Sequence, residues 1–129
     1  MTRYWEDIAV GDSWEGGAFD LDSVAIKEFA QRFDPRPTHL DEAAAADSLF
    51  GGLVASGAHT FSVWARLYRD LFPDLATEAG VEIRQMRMVR AVRPGDRLSL
   101  RAKITAKRAY PMRPEFGLLE SFQDVLNQD

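Results

Sequence analysis

The sequence predicts an α+β domain in which an antiparallel sheet wraps around a buried helix. Three observations lead there. Helical periodicity fills the first half of the chain, strand-like alternation fills the second, and an uncharged stretch, Ser48 to Ala65, lies between them. A helix that apolar must be covered, and a run of antiparallel strands is what the chain has to cover it.

Residues 1–20 read as an irregular lead-in with a short strand near Ser13–Phe19. Asp20 or Asp22 then caps a helix over Ser23–Phe33, where Ile26, Phe29, Ala30 and Phe33 follow i, i+3, i+4, i+7 spacing. Pro35 and Pro37 end it, since each removes an N–H and biases the preceding residue toward extended geometry. Thr38 to Asp41 resembles a capping box opening a short helix to about Phe50, which Gly51-Gly52 terminates. A longer helix follows over roughly Ala58–Phe72, with Ala58, Phe61, Ala65, Tyr68 and Phe72 on one face and Pro73 at its end.

The remainder reads as strands. Val81–Val92 alternates imperfectly, with Val81 and Ile83 on one parity and Met86 and Met88 on the other, which a bulge explains. Arg93-Pro94-Gly95-Asp96 is a turn. Leu98, Leu100, Ala102 and Ile104 give the clearest alternation. Tyr110–Glu115 is a loop, and Phe116, Leu118, Phe122 and Leu126 mark one face of a final strand.

At 129 residues the chain suits a single domain. Without cysteine it excludes disulfides, thiolate metal sites and cysteine nucleophiles, and it fits a reducing cytoplasm. The first residues carry no apolar core of a signal peptide. The glycines, serines and His59 inside Ser48–Ala65 argue for burial in the domain against a membrane span. Net charge is −4 but uneven: residues 84–113 hold ten Lys/Arg against Asp96 alone. That stripe fits either a polyanion or a solvated strand face that discourages aggregation. With only Tyr110 aromatic within it, a stacking platform for nucleic acid is not supported.

The chemistry concentrates in Asp34-Pro35-Arg36-Pro37-Thr38-His39-Leu40-Asp41 and in Gly57. An acid and a histidine on one proline-stiffened loop can hold a single water between them and exchange its proton. Gly57, opening the apolar helix, offers a backbone N–H at the positive end of the helix dipole, where an enolate-like oxygen is stabilised. Each residue also has a structural reading. Asp34 can be a turn residue, His39 a core histidine, and Gly57 one of many glycines before helices. Arg36 can reach a phosphate or carboxylate, or stay solvated. His59 reads as a packing residue of the central helix, and two histidines with no further ligand spacing make no metal site.

At these residues, and at Phe50-Gly51-Gly52-Leu53-Val54-Ala55-Ser56-Gly57, the chain resembles the MaoC-like dehydratases, or (R)-specific enoyl-CoA hydratases. Their motif has the form D-x-x-P-x-H followed by an A-[SH]-G segment that opens the central helix. The resemblance continues through Val92-Arg93-Pro94-Gly95-Asp96 and covers nearly the whole chain. It implies one hot-dog domain over 1–129, with an antiparallel sheet wrapped around the helix at about 58–72. Family members usually add a strand after Asn127-Gln128-Asp129, so a sheet without its last strand is expected.

The resemblance further implies hydration of a trans-2-enoyl-CoA or carrier-protein thioester, or the reverse dehydration. Asp34 and His39 would be the catalytic dyad and Gly57 the donor to the thioester carbonyl, with Arg36 and Ser56 as candidate substrate contacts. It implies no cofactor beyond the thioester carrier, and a homodimer or higher homo-oligomer. Together with the composition, the expectation is a cytoplasmic enzyme without a metal and with neither a nucleic-acid nor a membrane partner. The chain departs from the family pattern at Arg32-Phe33, Arg36 and Thr38. A hot-dog acyl-CoA thioesterase and a non-catalytic acyl-thioester-binding protein are the alternatives.

Overall fold

The computed structural model describes all residues, 1–129. A single 3₁₀ turn, Trp5–Asp7, precedes strand β1, Ser13–Asp20. Four helices follow: α1 Ser23–Phe33, α2 Pro37–Leu40, α3 Glu42–Ala46 and α4 Gly57–Leu71. Strands β2, Arg97–Ala109, and β3, Gly117–Leu126, close the chain. The strands form one antiparallel sheet in the order β1-β2-β3, and α4 packs on it.

Local chemistry sets these boundaries. Asp22 has extended geometry, and its carboxylate accepts from the Ala25 N–H at 2.8 Å, so Asp22 is the cap of α1. The expected helix from Thr38 to Phe50 is instead two short ones. Asp41 is the reason: it ends α2 and caps α3, accepting from the N–H groups of Ala43 and Ala44. The Arg93–Asp96 turn forms as expected. Gly95 takes φ +90°, and the Asp96 carboxylate accepts from the Arg93 N–H at 2.9 Å.

Central strand β2 buries Leu98, Leu100, Ala102 and Ile104, as their alternation predicts. Helix α4 lies close to β1 because β1 carries Gly16-Gly17. A Cβ on Gly16 would stand 3.3 Å from Leu71 Cδ1, and one on Gly17 only 2.9 Å from Leu67 Cδ2. The same residues sit at the start of an irregularity in the β1–β2 register, between Gly16 and Phe19.

Three sequence expectations about faces and strands are corrected. The buried stripe of α4 is His59, Val63 and Leu67, one i, i+4, i+8 row, whereas Ala58, Phe61 and Ala65 face out. Tyr68 and Phe72 do join the interior. In β3, Val125, Gln123 and Ser121 oppose Leu100, Ala102 and Ile104. Odd-numbered residues therefore face the core, and Phe122 is exposed. This inner face is partly polar, and Trp64 Nε1 donates to Gln123 Oε1 at 2.6 Å.

Val81–Val92 forms no strand, and every residue from Val81 to Arg90 is exposed. The segment pairs with none of the three strands of the sheet. Phe33 on α1 is likewise exposed.

Most of the basic stripe is paired. Arg84 and Arg108 meet Glu120, Arg101 meets Asp124, Arg97 meets Asp20, and Arg113 meets Glu115. Lys107 donates to the Ile8 carbonyl and lies over the Trp5 ring. These pairings favour the solvated strand face over a free polyanion surface. No helix is long and apolar enough to cross a membrane.

Candidate active site

The loop between α1 and α2 brings the predicted dyad together. Asp34 ends α1, its N–H still bonded to the Ala30 carbonyl. His39 lies in the single turn of α2, which Pro37 opens. Their side chains converge, with His39 Nε2 3.5 Å from Asp34 Oδ2. His39 is almost fully buried, at 7% exposure. Its Nδ1 lies 2.7 Å from the Val54 carbonyl oxygen. A carbonyl can only accept, so Nδ1 carries the hydrogen, and in the neutral ring Nε2 presents its lone pair toward Asp34.

Ser56 joins the site from the other side. Its hydroxyl donates to Asp34 Oδ2 at 2.7 Å and accepts from the Ala58 N–H at 3.2 Å, so one oxygen both caps α4 and holds the acid. Asp34 Oδ1 is taken by Arg36 Nε at 3.0 Å. Oδ2 thus accepts a hydrogen bond, and Oδ1 stands in an ion pair. The Leu53–Ser56 segment that supplies Val54 and Ser56 is buried throughout, and it is tied to the loop by the Val54 N–H on the Thr38 carbonyl.

Gly57 is the first residue of α4, so its N–H has no intrahelical acceptor. Its bare face is approached by Met88 of the 81–92 segment. A Cβ there would stand 3.3 Å from Met88 Cε and 3.7 Å from Sδ. Of the five predicted residues, Asp34, His39, Ser56 and Arg36 form one connected set, and Gly57 adjoins it through Ser56. Sequence reasoning missed Val54, which contributes only a backbone carbonyl, and Met88, which sits in a segment read as strand.

His59 takes the structural place expected for it. It is buried, and its ring stacks on Phe29 with centroids 4.4 Å apart. Its Nδ1 has no hydrogen-bond partner. Burial pushes its pKa below the ordinary 6.5. No cluster of His, Asp and Glu is arranged to hold a metal ion. A cavity of about 50 Å³ lies at the far end of α4 among Trp14, Tyr68, Phe72, Leu119 and Ser121, apart from the dyad.

A helix lying on an antiparallel sheet, with an acid and a histidine facing each other before the helix N-terminus, defines a hot-dog domain of the hydratase and dehydratase class. The chain belongs to the MaoC like domain family, whose model matches residues 12–117. It is similar to "Uncharacterized protein YdeM" of Bacillus subtilis, at 28% identity over 95% of this chain and 86% of that one. Among solved structures it is similar to a MaoC-like dehydratase from Rhodospirillum rubrum. That match has 40% identity and a TM-score of 0.85, covering 95% of this chain and 84% of that one. The R-hydratase PhaJ1 from Pseudomonas aeruginosa, 21% identical with a TM-score of 0.69 over 96% of this chain and 75% of that one, shares the fold.

Proposed function

We propose that the protein adds water to the double bond of a trans-2-enoyl thioester, carried on CoA or a carrier protein, or catalyses the reverse dehydration. The observation that carries this reading is the 3.5 Å approach of His39 Nε2 to Asp34 Oδ2, with the imidazole hydrogen committed to Val54. Two acceptors side by side match the two hydrogens of one water. Held by both, the water turns an oxygen lone pair outward toward the substrate β-carbon.

As that oxygen bonds to the β-carbon, the double-bond electrons move through the α-carbon onto the carbonyl oxygen. His39 Nε2 takes one water proton, and the imidazolium so formed is stabilised by Asp34. The Gly57 N–H receives the enolate oxygen. The imidazolium then returns its proton to the α-carbon as the enolate collapses. A hydroxyl and a hydrogen have been added, and both residues are restored. No cofactor beyond the thioester carrier enters this scheme. Arg36 and Ser56 contribute through Asp34, the residue both of them touch.

The working unit we propose is a homodimer made through the 81–92 segment. That segment is self-complementary in antiparallel register about Met86: Glu82 then faces Arg90 of a second copy, and Ile83 faces Val89. Opposite charges and apolar pairs across an antiparallel ladder stabilise it.

Crotonyl-CoA tests the reaction directly. Loss of enoyl absorbance without release of thiol is the expected result. Free thiol would mean hydrolysis and a thioesterase, and binding without turnover would mean an acyl-thioester-binding protein.

A further inference from the structure

We propose that Arg36 is a positioning residue for Asp34, helping to set the rotation of the carboxylate that faces His39. This rests on the hydratase reading above. Arg36 stands between the two dyad members along the chain and bonds to both through its backbone. Its N–H donates to the Asp34 carbonyl at 2.8 Å, and its own carbonyl accepts from the His39 N–H at 2.9 Å. The side chain then turns back, placing Nε 3.0 Å from Asp34 Oδ1.

The consequence is a division of labour between the two oxygens. Oδ1 is held by Arg36 and Oδ2 by Ser56, and Oδ2 is the one that faces His39. The terminal torsion of an aspartate is broad and roughly two-fold when left to itself. Because the carboxylate is rigid and planar, Ser56 on Oδ2 and Arg36 beside Oδ1 restrain the same torsion from its two ends. The Arg36 charge beside Oδ1 adds its restraint as an ion pair.

A carboxylate clamp for the substrate would need the same guanidinium unengaged, whereas here its one ion pair is with Asp34. The Arg36 side chain is 75% exposed. A pair so exposed adds little to stability, which leaves orientation as its contribution. Exposure also makes it sensitive to salt.

The test compares wild type with R36Q and R36K on crotonyl-CoA and on an enoyl-CoA bearing a terminal carboxylate. For R36Q we expect kcat to fall about tenfold on both substrates. That is less than the roughly hundredfold that a misplacement of about 1 Å costs. KM should stay within a factor of about two, since uniform binding is untouched. R36K, which keeps a charged donor, should recover part of kcat. Added salt should slow wild type and leave R36Q unchanged. A rise in KM confined to the carboxylate substrate, with kcat intact, would make Arg36 a substrate clamp and overturn the proposal, as would wild-type kcat in R36Q.

Crystal structures of wild type and R36Q give a readout independent of turnover. A rotated or split Asp34 carboxylate in R36Q is expected, and an unchanged one overturns the proposal. If wild type hydrates neither substrate, the hydratase reading fails on its own, and the crystal structures still decide the role of Arg36.

Discussion

The Val54 carbonyl oxygen lies 2.7 Å from His39 Nδ1, and this one contact decides how the imidazole presents itself. It comes from the buried chain just before α4, so it ties the ring's tautomer to the core rather than to the loop that carries it. With Nδ1 donating, Nε2 is the nitrogen left to face Asp34, and it can accept a proton where the water would sit.

His39→Ala and Asp34→Asn should each lower the rate of crotonyl-CoA hydration by at least about 100-fold, the usual scale for lost acid–base catalysis. Both variants should still fold, which far-ultraviolet circular dichroism checks. Wild-type turnover in either one would remove that residue from the mechanism.

Ser56→Ala removes two bonds with one atom: the hydroxyl to Asp34 and the acceptor for the Ala58 N–H. Loss of a helix cap costs about 1 kcal/mol. Burial of Ser56 at 1% exposure puts the charged bond at the upper end for hydrogen bonds, about 1.5–3 kcal/mol. Urea unfolding should therefore show a loss of about 2.5–4 kcal/mol, the sum of those two terms. A loss under about 0.5 kcal/mol, the range of ordinary surface changes, would mean that the hydroxyl holds neither partner.

Gly17→Ala tests how closely α4 lies on β1. The new Cβ would fall 2.9 Å from Leu67 Cδ2, and the backbone there has φ +84°. A side chain in that backbone region costs about 1–3 kcal/mol, and overpacking adds about the same. Gly51→Ala has a comparable φ of +67° with nothing near its Cβ, so it isolates the backbone part. Gly17→Ala should be the more destabilising of the two in thermal or urea unfolding. Equal losses would show that Leu67 yields without cost.

Much of this architecture was legible from local patterns. Asp22, one of the two caps the sequence offered, and Pro35 each act at their own position, and β2 alternates because a pleated strand turns one face to the core and the other to solvent. The faces of α4 and β3 were not legible in this way. Ala58, Phe61 and Ala65 are apolar at helical spacing, yet the buried row includes His59, whose burial depends on Phe29 from a distant helix. In β3 the inner face carries Ser121 and Gln123, the latter accepting from Trp64 Nε1, while Phe122 points out. The dyad could be read because both members lie on one short loop. Its supports from Val54 and Ser56 could be placed only by the fold.

If the 81–92 segment pairs with a second copy, Glu82 and Arg90 are cross-strand partners. Arg90→Glu would then set like charges opposite each other and weaken association. Glu82→Arg with Arg90→Glu together should restore it. Sedimentation should give twice the chain mass of 14.5 kDa for wild type and the double variant, with a larger monomer fraction for the single one. A monomeric wild type, or a dimer indifferent to both changes, would rule out this register.

His59 gives the stability of the fold a pH dependence whose sign can be worked out. Desolvation holds its folded pKa below the ordinary 6.5. Between those two values the unfolded chain binds a proton that the folded chain refuses, so stability increases with pH across that window. This contribution is complete above about pH 6.5 and shrinks as pH falls below it, because the unfolded imidazole is then the one that gains the proton. The unpartnered Nδ1 and the Phe29 stack offer the charged ring no compensating bond. His59→Phe keeps the ring stacking and removes the titration. Urea unfolding measured from pH 5 to 8 should show a smaller increase in stability between pH 5 and 6.5 for this variant than for wild type. Equal slopes would mean that His59 accepts its proton as readily folded as unfolded.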